Sequence, residues 1–343
     1  MNVADGCAVI LWVGVTLYAL LAGADFGAGF WDLTAGGAER GRKPRALIDT
    51  AIGPVWEINH VWLIFCLVVL WTAFGKAFAA ILSTMFIPVT LAALGIILRG
   101  AGFAFRKVSV RLGVQRVYGA TFAIASVLTP FFLGTVLGGI ASGRVPPGNA
   151  QGDFVTSWAN PTSAIVGGLA VATCAYLAAV YLIFDARRVG EAELERYFTR
   201  RALGAGVVAG AVALAGIFVP RSDAEYVYGR LTDQALPHVI VSAVAGVALI
   251  VVLAIGHSLG ARLLAALAVA SVIWAWGVAQ WPYLLPTSLT VSQGAGDDAT
   301  LKWVLIVFAI ALVLVIPSIA LLFMLDQRSR LHEEGHLAEP AGR

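Results

Sequence analysis

Apolar stretches of about twenty residues recur along this chain from Ala8 to Leu325, and few charges interrupt them. A helix needs about 20 apolar residues to cross the hydrocarbon core of a bilayer, so this recurrence constrains the chain more than any single motif. One stretch would be an anchor, whereas a series of them makes a polytopic membrane protein. Composition agrees, since hydrophobic residues make up 59% and charged ones 13% of the 343 residues, against about 45–50% and about 25% in soluble domains. An ordinary water-soluble enzyme is thereby excluded. The stretches are also too long and too uniformly apolar for the alternation of an outer-membrane barrel, so the backbone must satisfy its polar groups within helices.

The hydropathy pattern predicts nine spans, near residues 8–31, 55–74, 78–103, 117–140, 162–184, 203–220, 237–256, 262–281 and 303–325. Eight is the alternative count, because Asp25 sits inside the first run and only a few residues separate two helices around His257 to Arg262. Basic residues alternate between connections. One side holds Arg40, Arg42, Lys43 and Arg45, then Arg106, Lys107, Arg111 and Arg116, then Arg187, Arg188, Arg196, Arg200 and Arg201, then Arg262 and the tail residues Arg328, Arg330 and Arg343. The other side holds Lys76, Arg144, Arg221, Arg230 and Lys302. Cytoplasmic connections are enriched in Lys and Arg, which predicts an outer N-terminus, a cytoplasmic C-terminus and hence an odd number of spans. The first run lacks a basic leader and an A-x-A site, so it reads as a retained span.

The expected fold is all-α, with two four-helix bundles plus one peripheral helix. Residues 1–140 form the first bundle and carry a polar cluster on the cytoplasmic side, 141–161 an outer loop, and 162–281 the second bundle. Residues 282–302 form another outer loop, 303–325 the peripheral helix and 326–343 a polar cytoplasmic tail. Gly, Pro, Asn and Ser make both outer loops read as irregular connections. Cys7, Cys66 and Cys174 are isolated and read as small packing residues. No basic stripe points to nucleic acid.

Ionisable groups inside spans cost about 2.5–3.5 kcal/mol each on insertion scales and are functional candidates by default. Asp25, Glu57, His60 and Arg99 fall near the same end of the first three predicted spans. Asp25 lies between Gly23 and Gly27, a GxxxG face that lets another helix approach closely. It reads either as an ion pair with Arg99 that fixes helix packing or as a protonatable relay group. Glu57 follows Pro54, ordinary chemistry for a helix start, which by itself does not explain His60 one turn further on the same face. Glu57, Asn59 and His60 together can carry a proton along donors and acceptors, or form a satisfied structural cluster. Arg99 either joins Asp25 or snorkels to the interface. His238 and His257 lie at span ends, and no inward His/Met pair offers haem ligation. The tail segment His332–Glu333–Glu334–Gly335–His336 matches HExxH literally, but it lies beyond the last span with no third ligand or scaffold and reads as chance.

Three segments carry a family resemblance: Gly23-Ala24-Asp25-Phe26-Gly27-Ala28-Gly29-Phe30-Trp31-Asp32, Gly53-Pro54-Val55-Trp56-Glu57-Ile58-Asn59-His60-Val61-Trp62, and Arg99-Gly100-Ala101-Gly102-Phe103-Ala104-Phe105-Arg106. In this order the chain resembles subunit II of cytochrome bd-type quinol oxidases, with a looser match at Gln280-Trp281-Pro282-Tyr283. The resemblance implies a bacterial cytoplasmic-membrane subunit paired pseudo-symmetrically with subunit I. It implies that subunit I holds two b-type haems and one d-type haem and oxidises quinol, while this chain binds no cofactor or metal itself. It further implies that Asp25 and the Trp56–Glu57 pair belong to a proton route from the cytoplasm, and that oxygen enters this way in some members. Together with the residue reading, the expected proton pathway is Asp25, Glu57 and His60, with Trp56, Asn59 and Arg99 as a supporting polar cluster. A small single-span accessory subunit and membrane lipid complete the expected partners. A purely structural partner subunit and a secondary transporter are the rival readings.

Overall fold

The computed structural model describes residues 2–37, 39–52, 56–109, 111–257 and 260–327. The side chains of Trp56 and Glu57, residues 53–55 and the HExxH-like tail lie outside the described residues. The long helices are α1 (Val3–Leu33), α3 (Trp56–Ala73), α5 (Phe86–Val108), α6 (Leu112–Ala141), α7 (Pro161–Arg188), α8 (Ala192–Phe218), α11 (Leu236–Ala254), α12 (Ala261–Gln280) and α14 (Asp298–Gln327). Shorter ones are α2 (Arg42–Ile52), α4 (Gly75–Thr84), α9 (Pro220–Asp223), α10 (Glu225–Leu231) and α13 (Val291–Gly294). Among the described residues eight helices are long and apolar enough to cross a membrane, or nine when α3 and α4 count as one broken span bent by 119°.

Helices α7, α8, α11 and α12 close a ring of neighbours. In the other group α1 touches α3 and α6, and α5 packs along α6. Helix α1 also packs along α7 and joins the two groups, and α14 lies outside against α1 and α3. Its exposed Trp303, Val313 and Leu314 fit a peripheral helix. The α1–α7 contact is a close backbone approach, since a Cβ on Gly27 would stand 1.8 Å from the Cys174 carbonyl oxygen. Trp31 Nε1 reinforces it by donating to the Ala175 carbonyl at 2.8 Å.

The structure corrects several expectations. The span expected at 78–103 is two helices, because the chain breaks at Met85 and the membrane-length helix starts at Phe86. The apolar run reads through this break, as hydropathy does not register where one helix ends and the next begins. The connection after α1 contains the amphipathic α2, which buries Leu47 and Ile48 and leaves Lys43 exposed. The loop expected to be irregular at 282–302 holds an antiparallel pair, β1 (Tyr283–Leu285) and β2 (Leu289–Thr290), followed by α13. In the other loop Asn160 caps α7 by accepting from Ser163 N at 2.8 Å, with Pro161 at the first helical position. Asp223 anchors that loop through Arg144 at 2.5 Å and through Thr162 N at 3.0 Å.

Candidate functional site

Helices α1 and α5 each carry charges seven residues apart, near two helical turns, which places them on one face. Asp25 and Asp32 on α1 therefore meet Arg99 and Arg106 on α5 as two rungs. In the inner rung Arg99 Nη2 donates to Asp25 Oδ1 at 2.6 Å and to the Asp25 carbonyl at 3.2 Å. Arg99 Nε donates to Ser126 Oγ at 3.0 Å, and Ser126 in turn donates to the Phe122 carbonyl at 2.7 Å. The guanidinium sits 5.0 Å from the ring centroids of both Phe26 and Phe122, a cation–π setting that favours a desolvated cation. Both side chains of this ion pair are only 2% exposed. Arg99 thus does not snorkel, which overturns that alternative: Asp25, Ser126 and two aromatic faces hold it inside the protein.

Small residues make the inner rung possible. A Cβ on Gly29 would come 2.2 Å from Ser126 Oγ, and one on Gly102 would come 2.9 Å from the Phe122 backbone nitrogen. These glycines let α1, α5 and α6 converge, which is what sealing a guanidinium from lipid requires.

His60 is half-buried on α3, with its ring 5.8 Å from that of Phe26 and 6.2 Å from that of Tyr18. It lies in the electrostatic field of both Asp25 and Arg99. Asp25 Oδ2, His60 Nδ1 and Tyr18 Oη are buried and have no hydrogen-bond partner among the described residues. Tyr18 escaped the sequence reading because a lone tyrosine in an apolar run has no signal, although it stands seven residues before Asp25 on the same face. Asn59 is buried beside His60 on α3. The structure thus brings together Asp25, His60 and Arg99, adds Tyr18 and Ser126, and leaves the side chains of Trp56 and Glu57 undescribed.

The outer rung was also missed. Asp32 accepts from Arg106 at 2.5 Å and from Arg45 Nε at 2.8 Å, and Arg106 reaches on to Asp49. This network ties α2 to the ends of α1 and α5. Lys43 extends the tie by meeting Glu191 at 3.4 Å and Glu193 at 3.5 Å. Those two carboxylates raise the Lys43 pKa above its ordinary value.

Among the described histidines, His238 and His257 lie near opposite ends of α11. His60 lies on a different helix, α3. Among the described residues no cluster of His, Cys, Asp and Glu could hold a metal ion.

These features define a polytopic helical membrane protein with a charge cluster buried at the basic end of one helix group. Residues 4–325 match the family model for cytochrome bd terminal oxidase subunit II. A Bacillus subtilis chain provisionally named cytochrome bd menaquinol oxidase subunit II is 24% identical over 337 residues, which is 95% of this chain and 96% of that one. The cytochrome bd-I ubiquinol oxidase subunit 2 of Escherichia coli K12 is 27% identical over 234 residues, 65% of this chain and 59% of that one. In the solved bd oxidase from Geobacillus thermodenitrificans a chain of 25% identity superposes with a TM-score of 0.78, over 95% of this chain and 98% of that one. The chain belongs to the cytochrome bd terminal oxidase subunit II family. It is a membrane subunit of a terminal quinol oxidase complex that works with a subunit I partner.

Proposed function

We propose that this chain is the haem-free partner of a haem-bearing subunit I, and that its buried cluster passes protons from the cytoplasm towards the oxygen-reducing centre. In this reading the haems of the complex, two of b type and one of d type, and the quinol-oxidising loop all reside in subunit I. There they transfer electrons from quinol to O₂, and this chain supplies shape and protons. The protein sits in the bacterial cytoplasmic membrane with its N-terminus outside and C-terminus inside. Its two bundles span 1–140 and 162–281, the peripheral helix spans 303–325, and a small accessory subunit adds to the assembly.

One observation carries the proton reading. Beside the sealed Asp25–Arg99 ion pair, three buried polar atoms, Asp25 Oδ2, His60 Nδ1 and Tyr18 Oη, have no hydrogen-bond partner among the described residues. Buried polar groups in folded proteins are nearly always partnered, so an unsatisfied group of this kind calls for a role. Arg99 neutralises Asp25 while binding only Oδ1 and the backbone carbonyl, which leaves Oδ2 able to accept from a proton donor. His60 can take a proton at one ring nitrogen and release it at the other. Glu57, one turn before His60 on α3, is the entry group, with Trp56 and Asn59 beside it.

The purely structural reading rests on the same ion pair, because removing either charge strands the other. Glu57→Gln, which leaves the Asp25–Arg99 pair intact, separates the two readings in the intact complex. The relay requires full haem spectra with quinol-driven O₂ turnover lowered on the order of 10²-fold. Unchanged turnover at full haem content would overturn the relay, and loss of haem or of assembly would favour the structural role. Oxygen entry through this chain is a finer form of the same reading, tested by whether bulk at His60 slows O₂ recombination.

A further inference from the structure

The basic end of the second helix group contains a cavity that the proton reading does not use. It measures about 410 Å³ and lies between the end of α7, the start of α8 and the end of α11, with Arg187, Arg196, Arg200 and His257 on its wall. Arg196 and Arg200 stand one turn apart on α8 and are exposed, and neither makes an ion pair among the described residues. The carboxylate in the cavity, Glu195, accepts from Arg187 Nε at 3.1 Å, so it is already neutralised. His257 Nδ1 faces the Ile255 carbonyl at 3.3 Å. The net charge of the wall is therefore positive.

The same stripe of α8 continues at helical spacing through Val207 and Leu214, which are 61% and 60% exposed. Helix α11 and its C-terminal cap Ile255 carry Val244, Val247, Val251 and Ile255, all more than half exposed. Two exposed guanidinium groups at the end of helices whose further turns carry exposed apolar side chains match a molecule with an anionic head and hydrocarbon tails. We propose that this cavity binds the phosphate headgroup of an anionic phospholipid. Arg196 and Arg200 hold the phosphate, and the acyl chains lie along α8 and α11.

Charge complementarity selects the headgroup class, and the apolar faces separate a lipid from free phosphate. Loss of two interfacial arginines at about 1 kcal/mol each converts to a roughly 30-fold loss of apparent affinity. The test uses the intact oxidase complex, stripped of lipid by detergent exchange, with retained lipid read by native mass spectrometry and protection read by thermal melting. Phosphatidylglycerol should bind and raise the melting temperature of wild type, while phosphatidylcholine and inorganic phosphate should not. The Arg196→Gln/Arg200→Gln complex should lose that response, and Arg116→Gln, an exposed arginine on another helix, should keep it. Equal protection by phosphatidylcholine would overturn headgroup selection, and equal protection by inorganic phosphate would overturn a lipid as occupant. A double variant that binds phosphatidylglycerol like wild type would overturn the site itself. If the double variant separates from subunit I with its lipid still bound, the cavity is a protein contact and the proposal fails.

Discussion

The two rungs between α1 and α5 use the same pair of residue types, yet they sit in different media. At the inner rung Asp25 and Arg99 are sealed, and Arg99 spends its bonds on Asp25 and Ser126 between two phenylalanine rings. At the outer rung Asp32 is buried but shared between Arg106 and Arg45, and the far end of Arg106 reaches the half-open Asp49. The inner rung cannot draw on water if one member is removed, whereas the outer one has a second arginine and nearby solvent. Removing one member of a buried pair strands a charge, while exposed pairs are screened and individually weak. One motif repeated after two turns thus yields a lock inside and an adjustable tie outside.

The largest effect should come from breaking the lock. Arg99→Gln strands the Asp25 carboxylate and should cost about 3–5 kcal/mol, read as lower thermal stability and lower yield of the assembled complex. Asp25→Leu combined with Arg99→Met should recover most of that loss, because well-packed apolar pairs often replace buried ion pairs without penalty. A single variant as stable as wild type would mean that the two rungs do not differ in this way.

Gly27, between the two aspartates on α1, sharpens the comparison from the other side of the helix. Ala at this position would drive its Cβ into the Cys174 carbonyl, forcing α1 away from α7 at a cost of about 1–3 kcal/mol. Gly168→Ala on α7, where nothing lies within 4 Å of the new Cβ, should instead be neutral or stabilising by about 0.5–1 kcal/mol. Melting of the two complexes checks both, and equal effects would show that the α1–α7 contact is soft.

The outer rung should respond less. Arg106→Gln leaves Arg45 on Asp32, so the expected cost is on the order of 1 kcal/mol, shrinking as salt is added. A cost as large as that of Arg99→Gln and insensitive to salt would erase the distinction between the rungs.

The sequence made the helical class, the span series and the grouping of Asp25, His60 and Arg99 at one end legible, because each rests on a long-range count of apolar and charged residues. What it concealed was direction. The break at Met85 lies within continuous apolar sequence, so hydropathy starts the third span eight residues before the membrane-length helix. Asp32 and Arg106 were absent from the site because each looks like an interfacial charge when taken alone. Only the parallel run of α1 and α5 turns two seven-residue spacings into paired rungs. Ser126 and Tyr18 carry no signal in an apolar stretch until a guanidinium or an imidazole is placed beside them. The amphipathic α2 was hidden by the basic residues that make the same segment read as a connection.

A third carboxylate extends the gradient to full exposure and should give the smallest effect. Asp297 precedes α14, and it accepts from the Thr300 hydroxyl at 2.6 Å and from the Thr300 backbone N–H at 2.9 Å. These bonds hold its pKa below the ordinary carboxylate value. A group depressed in the folded state stabilises it above the unfolded pKa, roughly 3.9 for Asp, and that contribution disappears as pH falls through the folded value. Asp297→Ala should therefore weaken amide protection over Ala299–Trp303 near neutral pH, and the gap from wild type should close as the medium is acidified below the ordinary carboxylate range. Asp297→Asn keeps a side-chain acceptor without the charge, so it should show a smaller gap with little pH dependence. An unchanged gap in acid would mean that the carboxylate acts through its shape rather than its charge, and the gradient from Asp25 to Asp297 would then not be electrostatic.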